Sequence, residues 1–263
     1  YAVLLRGDSF VANDRGDNPT AYWRLGETSG TTAADSKKTG FLITLNPGTY
    51  VGGVVLGQPG ILANNTAARF DGVDDYVTIP NSSNFALTKS LTMEAWIKIP
   101  AWTAGRAWQA ILTKGDSSWR LSRYSTSRTI SFDTSSTEGA HSLPAVRNLD
   151  DNQWHHVVAV YDGIAKYLYV DGLLEGFQLY DKALNQNSSP VMIGENAEAR
   201  GRYFNGWIDE VAVYGNALSA GDIVEHYLAG GGALLLARAQ LNLPGIQNLD
   251  LYGFVQPIGG AAL

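Results

Sequence analysis

The sequence predicts an all-β fold in which two antiparallel sheets pack as a jelly-roll sandwich, with one short helix on the carboxyl-terminal side. Two runs rich in β-branched and aromatic residues, 156–161 and 166–170, are joined by Asp162-Gly163 and followed by Asp171-Gly172. Asp-Gly pairs accept positive φ and are strong hairpin-turn signals. Further short β-rich runs recur with turn residues between them and without interleaved amphipathic helices, which argues against a parallel α/β sheet.

Composition agrees with a single sandwich and restricts the class of partner. The 263 residues suit one large β domain, and 29 glycines, 13 tyrosines and 7 tryptophans favour turns and aromatic strands. A net charge of -6 without a cluster of basic residues argues against a nucleic-acid partner. Membrane insertion is not expected, since no run of 18 apolar residues occurs. The absence of cysteine excludes disulfides and thiolate metal sites.

The segment from Ser90 to Ile99 has the alternation of a strand with one buried face. The residues on its apolar face are Leu91, Met93, Ala95, Ile97 and Ile99. The opposite face carries Thr92, Glu94, Trp96 and Lys98. Shorter strands are predicted at 21–25, 76–80, 110–113, 119–124, 129–133, 191–193 and 207–214.

One helix is predicted after Ser219, which is a favourable N-cap with Asp222 three residues later, and the three glycines at 230–232 end it. The chain therefore divides into an irregular amino-terminal arm over 1–18, a sandwich over 19–230, and an apolar extension over 231–263. Because an exposed extension this apolar is unfavourable in water, we expect it to pack on the sandwich or against another subunit.

Six motifs, taken together and in this order, resemble the laminin G-like branch of the concanavalin A-like lectin/glucanase sandwiches. They are AYWRLGE at 21–27, FDGVDDYV at 70–77, MEAWI at 93–97, NQWHHV at 152–157, YVDG at 169–172 and GWIDEV at 206–211. The resemblance covers about Pro19 to Gly230. It implies the fold and favours binding over catalysis, since relatives include glycan-binding modules, adhesion domains, pentraxin-like lectins and particle decorations.

Enzymatic signatures are missing from the sequence. Glucanases on this fold carry acidic residues at alternate strand positions, so that two carboxylates face one sugar cleft. Here Glu94 stands alone on its strand, and the adjacent Asp209 and Glu210 point to opposite sides of a regular strand. The four histidines form no HExxH motif, and no nucleophile elbow or phosphate-binding loop occurs. We therefore predict a non-catalytic protein.

Three aspartates are candidate calcium ligands. Alternation places Asp75 beside Val77 and Ile79, and Asp209 beside Trp207 and Val211, so each carboxylate lies on an apolar face. Such a carboxylate needs a backbone N–H, an arginine or a cation as its partner. The resemblance implies a structural calcium between the early acidic loop, which here contains Asp35, and the late strand with Asp209.

The pentraxin-like resemblance implies a second, ligand-binding calcium site built from two acidic loops. The matching residues are Asp116 in the first loop and Glu195, Asn196 and Glu198 in the second. The other interpretation is that these are solvated loop charges.

Three tryptophans next to the predicted 110–113 strand, Trp102, Trp108 and Trp119, either stack on sugar rings or pack beneath the loops. Trp96, on the polar face of its strand, is a further candidate. The tryptophans within or beside the family motifs are predicted to anchor the core: Trp23, Trp154 and Trp207.

These observations predict a non-catalytic lectin-like adhesion module that binds a glycan or another surface polymer, outside a cell or on a virus particle. The alternative is a structural decoration or tail-associated subunit of a phage virion. That subunit would form a homo-oligomer, or contact capsid or tail proteins, through its terminal extensions.

Overall fold

The structure is a computed structural model that describes residues 17–37 and 45–233, together with the backbone of 236–243 and 246–254. The predicted amino-terminal arm therefore lies almost entirely outside the described residues. Within the described ranges, no helix combines the length and the apolar character needed to cross a membrane.

The described residues form eighteen strands and one α-helix. The first nine strands are β1 Ala21–Trp23, β2 Thr32–Ala33, β3 Gly48–Val51, β4 Val55–Pro59, β5 Thr66–Asp71, β6 Tyr76–Ile79, β7 Leu91–Lys98, β8 Ala110–Thr113 and β9 Trp119–Arg123. The others are β10 Ile130–Ser136, β11 Gly139–Pro144, β12 Trp154–Tyr161, β13 Ala165–Val170, β14 Leu173–Leu179, β15 Val191–Ile193, β16 Asn205–Tyr214, β17 Leu236–Leu243 and β18 Ile246–Phe254. Helix α1, Ala220–Ala229, lies between β16 and β17.

The predicted two-sheet antiparallel sandwich is confirmed. Sheet A has the order β14-β13-β12-β7-β16-β5-β4, with β1 also paired to β16. Sheet B has the order β11-β10-β9-β8-β15-β6-β3-β2. Both sheets contain neighbouring strands that are distant in sequence, for example β7 beside β16, as a jelly roll requires.

The predicted hairpin is β12–β13, with Tyr161 opposite Lys166. Its turn is stabilised by the Asp162 carboxylate, which accepts the backbone N–H groups of Ile164 at 2.8 Å and Ala165 at 2.7 Å. Positive φ at Asp171 (53°) and Gly172 (75°) forms the second turn, as the Asp-Gly signal predicted.

The main core lies between the two sheets. A row of inward residues crosses sheet A, with Met93 opposite both Val213 and Ala159, and Ala159 opposite Leu168. All four are fully buried. Full burial of each larger apolar side chain contributes about 1.5–3 kcal/mol, so this alternation holds the register of sheet A.

The outer face of sheet A is also largely covered, which corrects the expectation that strand β7 has one buried face. Helix α1 lies on this face, where Tyr227 stacks on Trp96 with ring centroids 5.8 Å apart. Glu94 and Trp96 are consequently buried, and Lys98 at the end of the strand is only partly covered. Trp96 is therefore a packing residue, not a ligand candidate.

The helix begins as predicted. Ser219 and Asp222 form a capping box, in which Asp222 N–H donates to Ser219 Oγ at 3.2 Å and Ser219 N–H donates to the Asp222 carboxylate at 2.9 Å. The chain leaves the helix at Gly230, which contacts Trp96 so closely that a Cβ there would lie 2.3 Å from the indole.

Strands β17 and β18 pair with each other in a two-stranded sheet that joins neither sheet A nor sheet B. The domain division at 231 remains a prediction, as does the partner of this extension.

Candidate ligand-binding and cation sites

The structure brings the four residues of the predicted loop site together. Asp116, in the turn between β8 and β9, accepts hydrogen bonds from Asn196 Nδ2 at 2.8 Å and from Arg202 Nη1 at 2.6 Å. A second bond, from Arg202 Nη2 at 3.0 Å, makes the arginine pair bidentate. Arg120 Nη1 lies 3.2 Å from the same carboxylate.

The two glutamates of this cluster organise the loops around it. Glu195 is fully buried, and its carboxylate accepts the backbone N–H groups of Asn196, Gly201 and Arg202 at 2.8–2.9 Å. Glu198 accepts the backbone N–H of Ser117 at 2.7 Å. Partial burial opposes ionisation of the Glu198 carboxyl, but the hydrogen bonds that it accepts lower its pKa. Both carboxylates are satisfied by protein donors, and a calcium ion at this cluster remains a prediction.

Trp108 lies next to this cluster and is half-buried. The guanidinium of Arg120 lies 5.6 Å from its ring centroid, and Tyr124 meets it edge to face at 5.6 Å. Trp108 has a φ of 58°, in the left-handed region that a bulky side chain rarely adopts. Its backbone N–H donates to the Ser125 carbonyl at 2.9 Å. The ring is therefore fixed at the rim of the loops.

A second aromatic pair extends the same surface. Tyr76 and Tyr203 lie with ring centroids 6.5 Å apart. Arg200 lies 5.0 Å from the Tyr76 ring and Arg106 lies 5.7 Å from the Tyr203 ring. Cations at these distances are attracted to the ring face.

Arg123 ties the supporting loops together beneath this surface. Its guanidinium is buried and donates to the carbonyls of Thr103, Arg106, Thr126 and Ser127 at 2.6–3.0 Å. The loop bearing Trp108 is thereby fixed to the turn between β9 and β10.

The other two loop tryptophans belong to the core, which corrects their candidacy as stacking residues. Trp119 is fully buried between the sheets, and Trp102 is 7% exposed and packs edge to face on Phe204 at 6.1 Å. Trp102 Nε1 also donates to Arg128 O at 3.2 Å. Neither indole offers a face to a sugar, so packing is the correct alternative for both, with Trp119 in the core between the sheets and Trp102 beneath the loops.

A β-bulge in β16 places Asp209 and Glu210 on one side, contrary to the expectation for a regular strand. Between the pairs Asp209–Trp96 and Ala212–Glu94, strand β16 has one residue more than β7, and Glu210 has a φ of 51°. Asn65 Nδ2 contacts both carboxylates, at 3.2 Å from Asp209 Oδ1 and 2.6 Å from Glu210 Oε1. Trp207 and Asp209 share a face as predicted, but the bulge turns Val211 into the core, so the prediction that Val211 lies on the same face is wrong.

Each of the two carboxylates has further protein partners. Ile61 N–H donates to Asp209 at 2.9 Å, while Tyr22 Oη and Arg24 Nε contact Glu210. Burial raises the pKa of Asp209 to about 7 and raises that of Glu210 well above its ordinary value. Asn65 and Arg24, which contact the pair, also line an open cleft of about 450 Å³.

The other two predicted metal ligands lie elsewhere. Asp35 accepts the backbone N–H groups of Tyr22 at 3.0 Å and Asn46 at 2.8 Å, so it ties its loop to β1. Asp75 accepts Asp71 N–H at 2.9 Å and Gly53 N–H at 2.5 Å. Backbone donors are therefore the partners of both carboxylates, and no contact among the described residues joins either of them to Asp209.

Comparison with known proteins identifies the family. A laminin G-like model described as the concanavalin A-like lectin/glucanases superfamily matches residues 71–224, which is more than half of the chain. The chain belongs to this family. No curated protein sequence matches it.

Solved structures with the same laminin G-like sandwich include toxin binding domains. The binding domain of Paraclostridial Mosquitocidal Protein 1 superposes with a TM-score of 0.63 at 14% identity, covering 80% of this chain and 52% of that one. A structure of botulinum neurotoxin type C, whose cell entry is dependent upon interaction with two ganglioside molecules, has a TM-score of 0.62 at 14% identity, with 81% and 51% covered. A binding domain of botulinum neurotoxin DC in complex with rat synaptotagmin II has a TM-score of 0.59 at 14% identity, with 81% and 52% covered. This laminin G-like chain thus spans about half the length of these structures.

Several residues that contribute to these sites could not be identified from the sequence. Tyr203 and Arg106 lie in irregular loops, and only the fold brings them near Tyr76 and Arg200. Glu210 did carry a signal, because two adjacent acidic residues in an otherwise apolar strand are costly unless a bulge gives both a partner.

Proposed function

We propose that this chain is a non-catalytic glycan-binding module that is displayed on the surface of a cell or a virus particle. The observation that carries the proposal is the fixed Trp108 ring, at the rim of the loops, beside the hydrogen-bonded Asp116–Arg202 pair. Sugars present apolar C–H faces that stack on indole rings and hydroxyls that bond to charged neighbours.

Preorganisation supports binding at this surface. The backbone of Trp108 is held by Ser125, and the Asp116 carboxylate is held by Arg202 and Asn196. Groups that are already fixed lose little conformational entropy when a ligand binds. The left-handed backbone of Trp108 is also the kind of strained position that clusters at functional sites.

The similar structures support the class of partner. Botulinum neurotoxin type C depends on two ganglioside molecules for cell entry, and the DC binding domain forms a complex with synaptotagmin II. At 14% identity they share the fold alone, so glycan recognition by this chain is argued from its own aromatic and charged residues.

We further propose that calcium binds at Asp209 and Glu210, in place of the site shared by Asp35 and Asp209 that the resemblance implied. Two buried carboxylates that contact one amide nitrogen offer several oxygens in a small volume, which suits a hard cation. A cation would also compensate the burial that raises both pKa values.

A glycan array, probed once in calcium and once in chelator, tests the function. The expected result is selective binding by the wild-type chain, with at least about tenfold weaker binding by Trp108→Ala after loss of the stacking contact. Phe177→Ala is the matched control, since Phe177 is an exposed aromatic residue on β14, outside the loop surface. An array without any bound glycan, probed with folded protein, would contradict the proposal.

A structural role in a particle is the second candidate. It is favoured by the β17–β18 hairpin, which pairs with neither sheet of the sandwich and so can serve as an attachment element. Deleting residues 234–263 is expected to abolish self-association measured by sedimentation. Unchanged association of the truncated chain would exclude attachment between copies through this hairpin.

A further inference from the structure

A row of alternating aromatic and cationic side chains crosses the outer face of sheet A. The cross-strand pairs are Trp154 with Lys98, Lys98 with Trp207, and Trp207 with Arg69, on strands β12, β7, β16 and β5. All four residues are half-buried, and we call them the cation ladder. They lie beyond the part of the face where helix α1 covers Trp96 and Glu94. Trp154 packs against the outer apolar cluster around Trp96, whereas Trp207 belongs to neither core cluster of the described residues, which corrects the expectation that Trp207 anchors the core.

The indole of Trp207 holds both cations of the ladder. The Arg69 guanidinium lies 4.7 Å from the ring centroid, and Lys98 Nζ lies 5.4 Å from it. Arg69 Nη2 also donates to Asn205 Oδ1 at 2.8 Å, which fixes the orientation of the guanidinium. The cations come from the strands on either side of Trp207 and both contact its ring, so their long side chains have already lost much of their rotamer freedom.

The two cations of the ladder lack a carboxylate at ion-pair distance among the described residues. In the part of the chain that the structure describes, neither Lys98 nor Arg69 forms an ion pair with a carboxylate. Burial lowers the pKa of Arg69, and the carboxylates of Asp71 and Asp75 act in the opposite direction. Asp71 is exposed and lies at the end of β5, two residues beyond Arg69.

We propose that the cation ladder binds an acidic polysaccharide, with Lys98 and Arg69 each meeting a carboxylate on the polymer. The two cations are separated by one intervening strand, so they lie roughly 10 Å apart, twice the strand spacing of about 4.8 Å. Acidic groups on a chain of sugar rings recur at separations that two such fixed cations can meet together. The indole edges of Trp154 and Trp207 supply apolar contacts to the sugar C–H groups between them.

The chemistry favours a polysaccharide over other polyanions. A net charge of -6 repels nucleic acid except at a local basic patch, and two cations release too few counterions for strong phosphate binding. Aromatic residues at regular spacing match a repeating sugar chain. The inference relies on the proposed function for the glycan class alone, since the loop surface around Trp108 shares no residue with the ladder.

The test compares binding of polygalacturonate with binding of its methyl ester, which has the same backbone without the charges. The wild-type chain is expected to bind the acid form, with an affinity that falls as salt rises, and to bind the ester at least about tenfold more weakly. Lys98→Gln and Trp207→Ala are each expected to weaken binding of the acid form about tenfold. Lys98→Arg, which keeps the charge, is expected to bind like the wild type, and Asp71→Asn to bind more tightly.

Matched controls separate this site from the loop surface. Lys89→Gln removes a lysine before β7, outside the ladder, and is expected to leave binding unchanged. Trp108→Ala is expected to keep polygalacturonate binding. A glycan array on which no glycan binds would contradict the loop site, but it would not contradict the ladder. The proposal is overturned if wild-type protein does not bind polygalacturonate, if Lys98→Gln binds it normally, or if the ester binds equally well. It is also overturned if the protein is a dimer that Trp207→Ala dissociates, since a second copy would then cover the ladder.

Discussion

Asp209 shows how one carboxylate can make folding depend on pH. Its pKa is raised to about 7 because burial disfavours the charged form. A group whose pKa is higher in the folded state stabilises the fold at low pH, and this stabilisation is lost as pH rises through the folded value. The rise from 3.8 to about 7 corresponds to about 4 kcal/mol at most.

In chelator, we therefore expect the free energy of unfolding of the wild-type chain to fall between about pH 4 and pH 8. Asp209→Asn removes one of the two raised carboxyl titrations, with Glu210 keeping the other, and should make this decline shallower, as measured by urea denaturation at several pH values. Excess calcium should have the same effect on the wild type, because a bound cation stabilises the carboxylate. Identical pH profiles with and without calcium would count against the cation site.

Gly230 lies at a position where a side chain would collide with the Trp96 ring. Its φ of -76° suits any residue, but a Cβ there would lie 2.3 Å from the Trp96 ring. Gly230→Ala is expected to reduce the free energy of unfolding by about 1–3 kcal/mol through overpacking. Gly231→Ala is a nearby comparison with no atom within 4 Å of its Cβ, although its φ of 85° adds backbone strain. Equal stability of Gly230→Ala and the wild type in urea denaturation would show that the helix end can move.

Helix α1 is attached to sheet A by a buried charged network. Glu94 accepts hydrogen bonds from Tyr214 Oη at 2.5 Å and His226 Nδ1 at 2.9 Å, and His226 Nε2 lies 3.1 Å from Asp17. Burial alone would lower the pKa of His226, but Glu94 and Asp17 raise it to about 9. Burial alone would raise the pKa of Glu94, but His226 and His156 lower it. No sequence pattern indicated this network, because its members are far apart in the chain.

The contact between helix α1 and sheet A should weaken both at high pH and at low pH. The His226 contribution is complete below about pH 6.5 and is lost as pH rises through about 9, because the folded pKa is the higher one. The Glu94 contribution is lost as pH falls below about 4, because its folded pKa is the lower one. Amide hydrogen exchange of residues 220–229 should therefore be slowest near pH 5–6, after correction for intrinsic rates. His226→Gln should remove the alkaline change, and exchange that still rises between about pH 6.5 and pH 9 in this variant would point to another group.

At the scale of the whole molecule, the fold was predictable and the sites were only partly so. Period-two alternation and Asp-Gly turns are local signals, and they identified most of the strands and the hairpin, while capping residues identified the helix. Alternation indicates the burial of Trp119, which shares a strand face with Leu121, whereas Trp102 lies outside the strands and carries no such pattern. The placement of Asp209 and Glu210 on one side depends on a bulge that strand alternation does not predict, and the cation ladder depends on cross-strand register, which joins residues far apart in the sequence.

The most direct measurement is the dissociation constant of one array-selected glycan for the wild type, Trp108→Ala and Phe177→Ala, determined by calorimetry. If the loop surface binds glycan, Trp108→Ala should bind at least about tenfold more weakly, and Phe177→Ala should match the wild type. Equal affinity of all three folded proteins would contradict glycan recognition at Trp108.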